Sequence, residues 1–179
     1  MIVLTILATV LVTIAANSFF EWSVHGLLMH RGWGGKYLRK THHEHHEDYP
    51  LGSYKNRRHG LHVHLPWWSG VLTLKIMTAF GLFVSYLTGM WTIVWCVGVT
   101  SVFYFVAYNY FHTCFHVPDN RWFEKTKLYW FLDRYHHIHH TRDGEWERLS
   151  NICLVCPLAD WVMGTWLRPK KRTTTATTR

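Results

Sequence analysis

Apolar and polar positions fall in long blocks along this chain instead of mixing evenly. Residues 2–20 carry no charge and match the roughly 20 residues an α-helix needs to cross a bilayer. Two further apolar blocks, residues 67–88 and 91–111, are divided by a short turn at Gly89, which predicts a hairpin of two more spans. Lys75 is the one charge in these blocks; its long stem can snorkel toward the headgroups or turn into the bundle. Trp67, Trp68, Trp91 and Tyr110 stand near span ends, as interfacial anchors do. A cleaved signal peptide ending near Ile14-Ala15-Ala16-Asn17 is the rival reading of the first block, but no basic residue precedes the apolar run. A buried soluble hairpin is the rival for the other two. The pattern predicts an all-α integral membrane helical bundle of about three spans, as one membrane-embedded domain over residues 1–179 with a frayed tail at 169–179.

The polar blocks supply the rest of the picture. Three crossings would place residues 32–64 and 112–179 on one side of the membrane. Of the nineteen Lys and Arg, seven lie in 31–58 and eleven from Arg121 onward, so this side is expected to be cytoplasmic. The net charge of +8 is spread over both polar blocks without a nucleic-acid motif, and orientation plus attraction to anionic headgroups accounts for it. No nucleic-acid partner is expected.

Fifteen of the 179 residues are histidine, and ten fall in four clusters: His25 with His30, His42 with His45 and His46, His112 with His116, and His136 with His139 and His140. Independent placement would give H-x-x-H-H about 0.1 times; it occurs twice. On a helix, positions i, i+3 and i+4 share a face, so each triplet can point at one site from a single turn. His112 and His116 add two ligands where the third span ends. His25 and His30, five apart, would be about 140° round an ideal α-helix; they need a π-type or frayed turn, which Gly32, Gly34 and Gly35 would then end. Ten imidazoles suit two five-coordinate ions with open positions, and imidazole serves Fe, Zn, Cu and Ni alike. Two metal ions on the side that carries all four clusters are therefore expected.

Neighbouring residues leave alternatives. His43 and His137 allow a shifted register, and His59, His62 and His64 could add ligands or sit at the interface. Glu44, Glu47, Asp48 and Asp133 are candidate acceptors for the second ring N–H of a ligating histidine, or solvated charges. Cys153 and Cys156 form a lone C-x-x-C in an apolar stretch, where packing is the expected role. A transporter or sensor using reversible histidine ligands is a rival from another class, but it would need polar residues lining the spans, and Lys75 is nearly alone there.

The ordered boxes H-x4-H, H-x2-HH, H-x3-H and H-x2-HH, with the closing stretch from Asn151 through Pro157, Asp160 and Trp161 to Gly164-Thr165, resemble the fatty acid hydroxylase / sterol desaturase superfamily of membrane di-iron proteins. The resemblance implies a cytosolic helical cap holding a dinuclear metal site on the membrane bundle, with two Fe ions held by the ten box histidines, O2 as cosubstrate, and oxidation of an unactivated C–H bond of a fatty-acyl, sphingolipid or sterol-like lipid drawn from the bilayer. Zinc competes for such ligands in isolated protein. No dinucleotide fingerprint is present, so an external donor such as a ferredoxin or cytochrome b5-like protein is expected. Met29-His30 followed by Gly32-Trp33-Gly34 is also similar to bacterial carotenoid ring hydroxylases, which space the third box as H-x4-H; His112 and His116 are spaced H-x3-H, so a carotenoid β-ring hydroxylase is the second reading.

Overall fold

Helix α1 (Ile2–Trp22) is formed by the first apolar run and continues without a break into a π-helical segment, Ser23–His30. Gly32 (φ +73°) and Gly35 (φ +86°) then turn the chain, through a left-handed region that side chains with a Cβ resist. A Cβ on Gly34 would lie 2.7 Å from Leu38 and 2.9 Å from Leu28, so the turn folds tightly onto the segment it ends. Helix α2 (Gly35–Asp48) follows. The hairpin is α3 (Trp67–Thr88) and α4 (Thr92–His116), joined at Gly89 (φ +70°). A 3₁₀ turn, Phe123–Lys125, precedes α5 (Lys127–His140), and a short α6 (Leu158–Val162) closes the fold. The computed structural model describes residues 2–50, 55, 67–140 and 149–168.

Among the described residues, three helices are long and apolar enough to cross a membrane: Ile2–His30, Trp68–Thr88 and Thr92–His116. Their surface supports that reading. Leu4, Leu11, Phe83, Leu87, Trp95 and Phe103 are exposed, whereas Thr13, Asn17, Ser18, Ser85 and Ser101 are buried. Apolar outside and polar inside reverses the order of a water-soluble bundle and fits a lipid solvent, in which buried hydroxyls and amides bond across helices. Asn17 donates to Ser101 Oγ at 3.1 Å and to the Thr13 carbonyl at 2.9 Å. Gly81 allows a close approach, since a Cβ there would sit 3.2 Å from Val94 Cα of α4. Lys75 is exposed on α3, the snorkelling arrangement rather than the inward one.

At 25 residues, α4 is about 37 Å long and outruns a hydrocarbon core of about 30 Å. It continues past the expected end at residue 111, and its last turn carries His112 and His116 into the cap. There Phe115, Phe123, Tyr129, Leu132 and Leu154 form a buried cluster, with Phe111 stacked on Phe123 at 4.1 Å. This cluster fixes α5 against the end of α4. Cys153 is fully buried beside Trp22, Ile152 and Ala159, a packing role, and all four cysteines are free.

Candidate metal centre

All ten box histidines are buried, none more than 9% exposed. The structure sorts them into two sets of five. His45, His112, His116, His136 and His140 form one, with candidate donor atoms all within 4.8 Å of each other; His25, His30, His42 and His139 form the core of the other. His46 joins the latter, its Nε2 lying 3.1 Å from both His42 Nε2 and His139 Nε2.

This partition corrects one expectation: neither triplet points at a single site. Positions i and i+4 lie about 40° apart on a helix, while i+3 falls about 60° to the other side. His42 and His46 therefore face one set and His45 the other; His136 and His140 face the second set and His139 the first. Each set thus takes one pair from the N-terminal or α4 elements (His25 and His30, or His112 and His116), one i,i+4 pair, and the odd member of the other triplet. The His25 and His30 pair works because hydrogen bonds from i to i+5 bring residues five apart onto one face, as the sequence required. The sets meet where the His46 and His140 rings stack at 4.2 Å.

Proton bookkeeping shows what such crowding can hold. His25, His139 and His140 each place Nδ1 on a backbone carbonyl: Ile152 O at 2.7 Å, Ser150 O at 3.0 Å and Tyr49 O at 3.1 Å. A carbonyl only accepts, so Nδ1 carries the proton and Nε2 of the neutral ring presents a lone pair. His139 Nε2 then faces His30 Nε2 at 3.2 Å as well as His46. His42 Nε2 faces three partners, His25 at 3.1 Å, His30 at 2.9 Å and His46 at 3.1 Å. In the other set, His116 Nε2 lies 3.1 Å from His112 and 3.0 Å from His136. One proton per nitrogen cannot make every one of these contacts a hydrogen bond, and converging lone pairs are what a cation site offers. Both ring nitrogens of His45 are buried without a hydrogen-bond partner among the described residues. A metal about 2.1 Å from each nitrogen separates neighbouring ligands at right angles by about 3.0 Å, against about 3.4 Å in a tetrahedron. The observed 2.9–3.2 Å spacing fits the former. Each set could hold a metal ion.

Electrostatics agrees with that use. His42, His45, His46, His136 and His140 are held well below the ordinary imidazole range, first by burial and then by repulsion from neighbouring imidazoles. His139 is pushed down to about 4 by burial, against the Ser150 carbonyl and Asp160. Neutral rings are the state a metal ligand requires.

Three of the expected carboxylate orienters act elsewhere. Glu44 pairs with Lys40 at 3.6 Å, Glu47 with His43 at 3.2 Å, and Asp133 with Lys55 at 2.9 Å; Asp48 is half-buried at the end of α2. For the box histidines His25, His139 and His140 the Nδ1 partners are carbonyls instead. His43 is half-exposed and His137 half-buried, outside both sets, so the shifted register is not the one adopted. His59, His62 and His64 lie outside the described residues. Sequence reasoning missed Glu21, Asn151 and Asp160, all buried; Asn151 and Asp160 sit in the closing stretch, but nothing in their spacing indicated what they hold.

Beside the first set lies an apolar cavity of about 120 Å³ between α1, the π segment, α3 and α4, lined by residues including Val24, His25, Met29, Leu72, Tyr104 and Phe105. It joins the spanning helices to a box histidine. Comparison with curated proteins and with solved structures gave no match. The model of the fatty acid hydroxylase family matches residues 10–165, which takes in all four boxes, both histidine sets and the closing segment. The chain therefore belongs to the fatty acid hydroxylase family, as an oxidoreductase of the membrane lipid hydroxylase and desaturase type.

Proposed function

We propose that this protein is a di-iron oxygenase that inserts one oxygen from O2 into an unactivated C–H bond of a lipid acyl chain. The observation that carries the reading is the apolar cavity with His25 in its wall, which brings a candidate metal ligand to a surface fit for an apolar substrate. Iron bound by His25, His30, His42, His46 and His139 in one set and His45, His112, His116, His136 and His140 in the other would supply the O2 activation that no side chain offers. The chain's own part is to keep the imidazoles neutral, hold three of them in one tautomer through carbonyls, and present a dry wall along which an acyl chain lies. No box histidine is assigned a general acid or base role. A sphingolipid or sterol-like substrate offers similar apolar chemistry, and a carotenoid ring is the second reading.

The histidine sets are assigned to the cytoplasmic face, where Arg31, Lys36, Arg39 and Lys40 around α2 and Lys125, Lys127 and Arg134 around α5 are exposed. An acidic donor, ferredoxin or cytochrome b5-like, would dock on that basic rim, and its rate of electron delivery should fall as salt rises. The test of function is mass spectrometry of total lipids from cells making both acyl lipids and β-carotene, with the native chain and with His139→Ala. A one-oxygen gain on acyl species that the variant lacks supports the reading; hydroxylated carotenoid rings favour the alternative.

A further inference from the structure

Two buried carboxyl side chains outside the histidine boxes converge on one short stretch of backbone. Asp160, on α6, accepts from the Ile152 amide at 2.9 Å and Thr165 Oγ1 at 2.5 Å through Oδ1, and from the Cys153 amide and the Tyr135 hydroxyl, both at 2.7 Å, through Oδ2. Glu21, on α1, accepts from the Leu154 amide at 2.5 Å and the Tyr104 hydroxyl at 2.6 Å. Three successive amides, 152 to 154, are thereby taken by side-chain carboxyl groups. Asn151 (φ +52°) precedes them, and a left-handed residue beside successive N–H groups forms the kind of concavity that takes an oxygen acceptor. Here the acceptors are side chains of the protein.

The carbonyls of this stretch point the other way. Ser150 O receives His139 Nδ1 and Ile152 O receives His25 Nδ1, so two orienting acceptors of the first set come from a span of three residues. Asn151 fixes the same stretch to α5 and to Leu167, donating to the Tyr135 carbonyl at 3.0 Å and the Leu167 carbonyl at 3.1 Å and accepting from Leu167 N at 2.7 Å. In the second set, His140 Nδ1 meets Tyr49 O, at the end of α2 and outside this stretch. The Ser150 and Ile152 carbonyls serve the first set.

We propose that Glu21 and Asp160 are positioning residues for the first histidine set, clamping residues 150–154 so that two carbonyls hold His25 and His139 with Nε2 aimed at that set's ion. The proposal rests on the reading of the sets as metal ligands. Its consequence is selectivity: Asp160→Asn puts an NH2 donor where two donors already point, loosens the strap, and weakens one ion while sparing the other. Partners that orient a metal-bound histidine typically set about 10–100-fold in affinity, and that is the expected loss.

The test is Co(II) titration of purified full-length protein in detergent, read by visible absorbance and by bound equivalents, with helical circular dichroism on each sample. Wild type should take two equivalents, His139→Ala should lose the equivalent of the first set, and His136→Ala that of the second. Asp160→Asn and Glu21→Leu should each weaken the equivalent lost in His139→Ala by about 10–100-fold and keep the other unchanged. Glu21→Leu, which removes the acceptor of the Leu154 amide and the Tyr104 hydroxyl and leaves Asp160 in place, decides the matter if Asp160→Asn loses its helical signal. Two equivalents at native affinity in Glu21→Leu, or equal weakening of both in a helical variant, would overturn the proposal alone. Wild type that takes up no metal would overturn the reading beneath it as well.

Discussion

His45 and His46 are adjacent in the chain, yet the geometry puts them in different histidine sets. His45 has the rings of His112, His116 and His140 around it, at centroid distances of 4.7, 4.8 and 5.1 Å. His46 Nε2 instead lies 3.1 Å from His42 and His139. Replacing either by alanine removes one of five nitrogens from its own set. Because removing a residue that only orients a ligand costs about 10–100-fold, losing the ligand itself should exceed about 100-fold, or about 2.7 kcal/mol. His45→Ala should therefore abolish tight binding of one equivalent, and His46→Ala of the other, by isothermal titration of the metal-free protein with Fe(II) under anaerobic conditions. Pairs decide the assignment: groups acting on one site are not additive, whereas independent sites are. His45→Ala combined with His136→Ala should look like either variant alone. His45→Ala combined with His139→Ala should leave no tight site. If His45→Ala and His139→Ala instead strike the same equivalent, the partition is wrong.

Other consequences are open to simple assays. Thr73→Trp, on the α3 wall of the cavity, should lower turnover of a long-chain substrate by about 100-fold through misplacement while leaving bound metal unchanged; unchanged turnover would remove the cavity from the substrate path. Asn151→Ala loses three hydrogen bonds and places alanine at φ +52°, which should cost about 2–4 kcal/mol in thermal unfolding, and Asn151→Gly should recover only the backbone part. The metal-free protein should lose stability as pH falls from about 6.5 toward 4, because the unfolded chain binds protons that buried His139, at about 4, refuses. Above the unfolded value that contribution is flat, and melting temperatures rising on acidification would contradict it.

The spans were legible because length and lack of charge are sufficient signals for a lipid-crossing helix, and α4 exceeded expectation only where its polar last turn enters the cap. The π segment was legible as well, since residues five apart cannot share an α-helical face, and His25 and His30 do share one. The split of the triplets was not, because helical spacing fixes angles on one element but not where a second cluster lies. Nor were the orienting groups. Acidic neighbours in sequence were the natural candidates, but Glu44 and Glu47 turn to Lys40 and His43, while the acceptors are carbonyls 127 residues from His25 and 11 from His139. Glu21 reads in the sequence as the first charge after an apolar run; only the fold brings it to Leu154.

Oxygen transfer to an acyl chain is the central claim, and the origin of the product oxygen tests it most directly. Iron-loaded protein in bilayers, given a reduced acidic donor and isotopically heavy O2, should yield acyl lipid carrying one heavy oxygen, with none formed by His139→Ala. An unlabelled hydroxyl, or labelled product persisting in His139→Ala, would contradict the account.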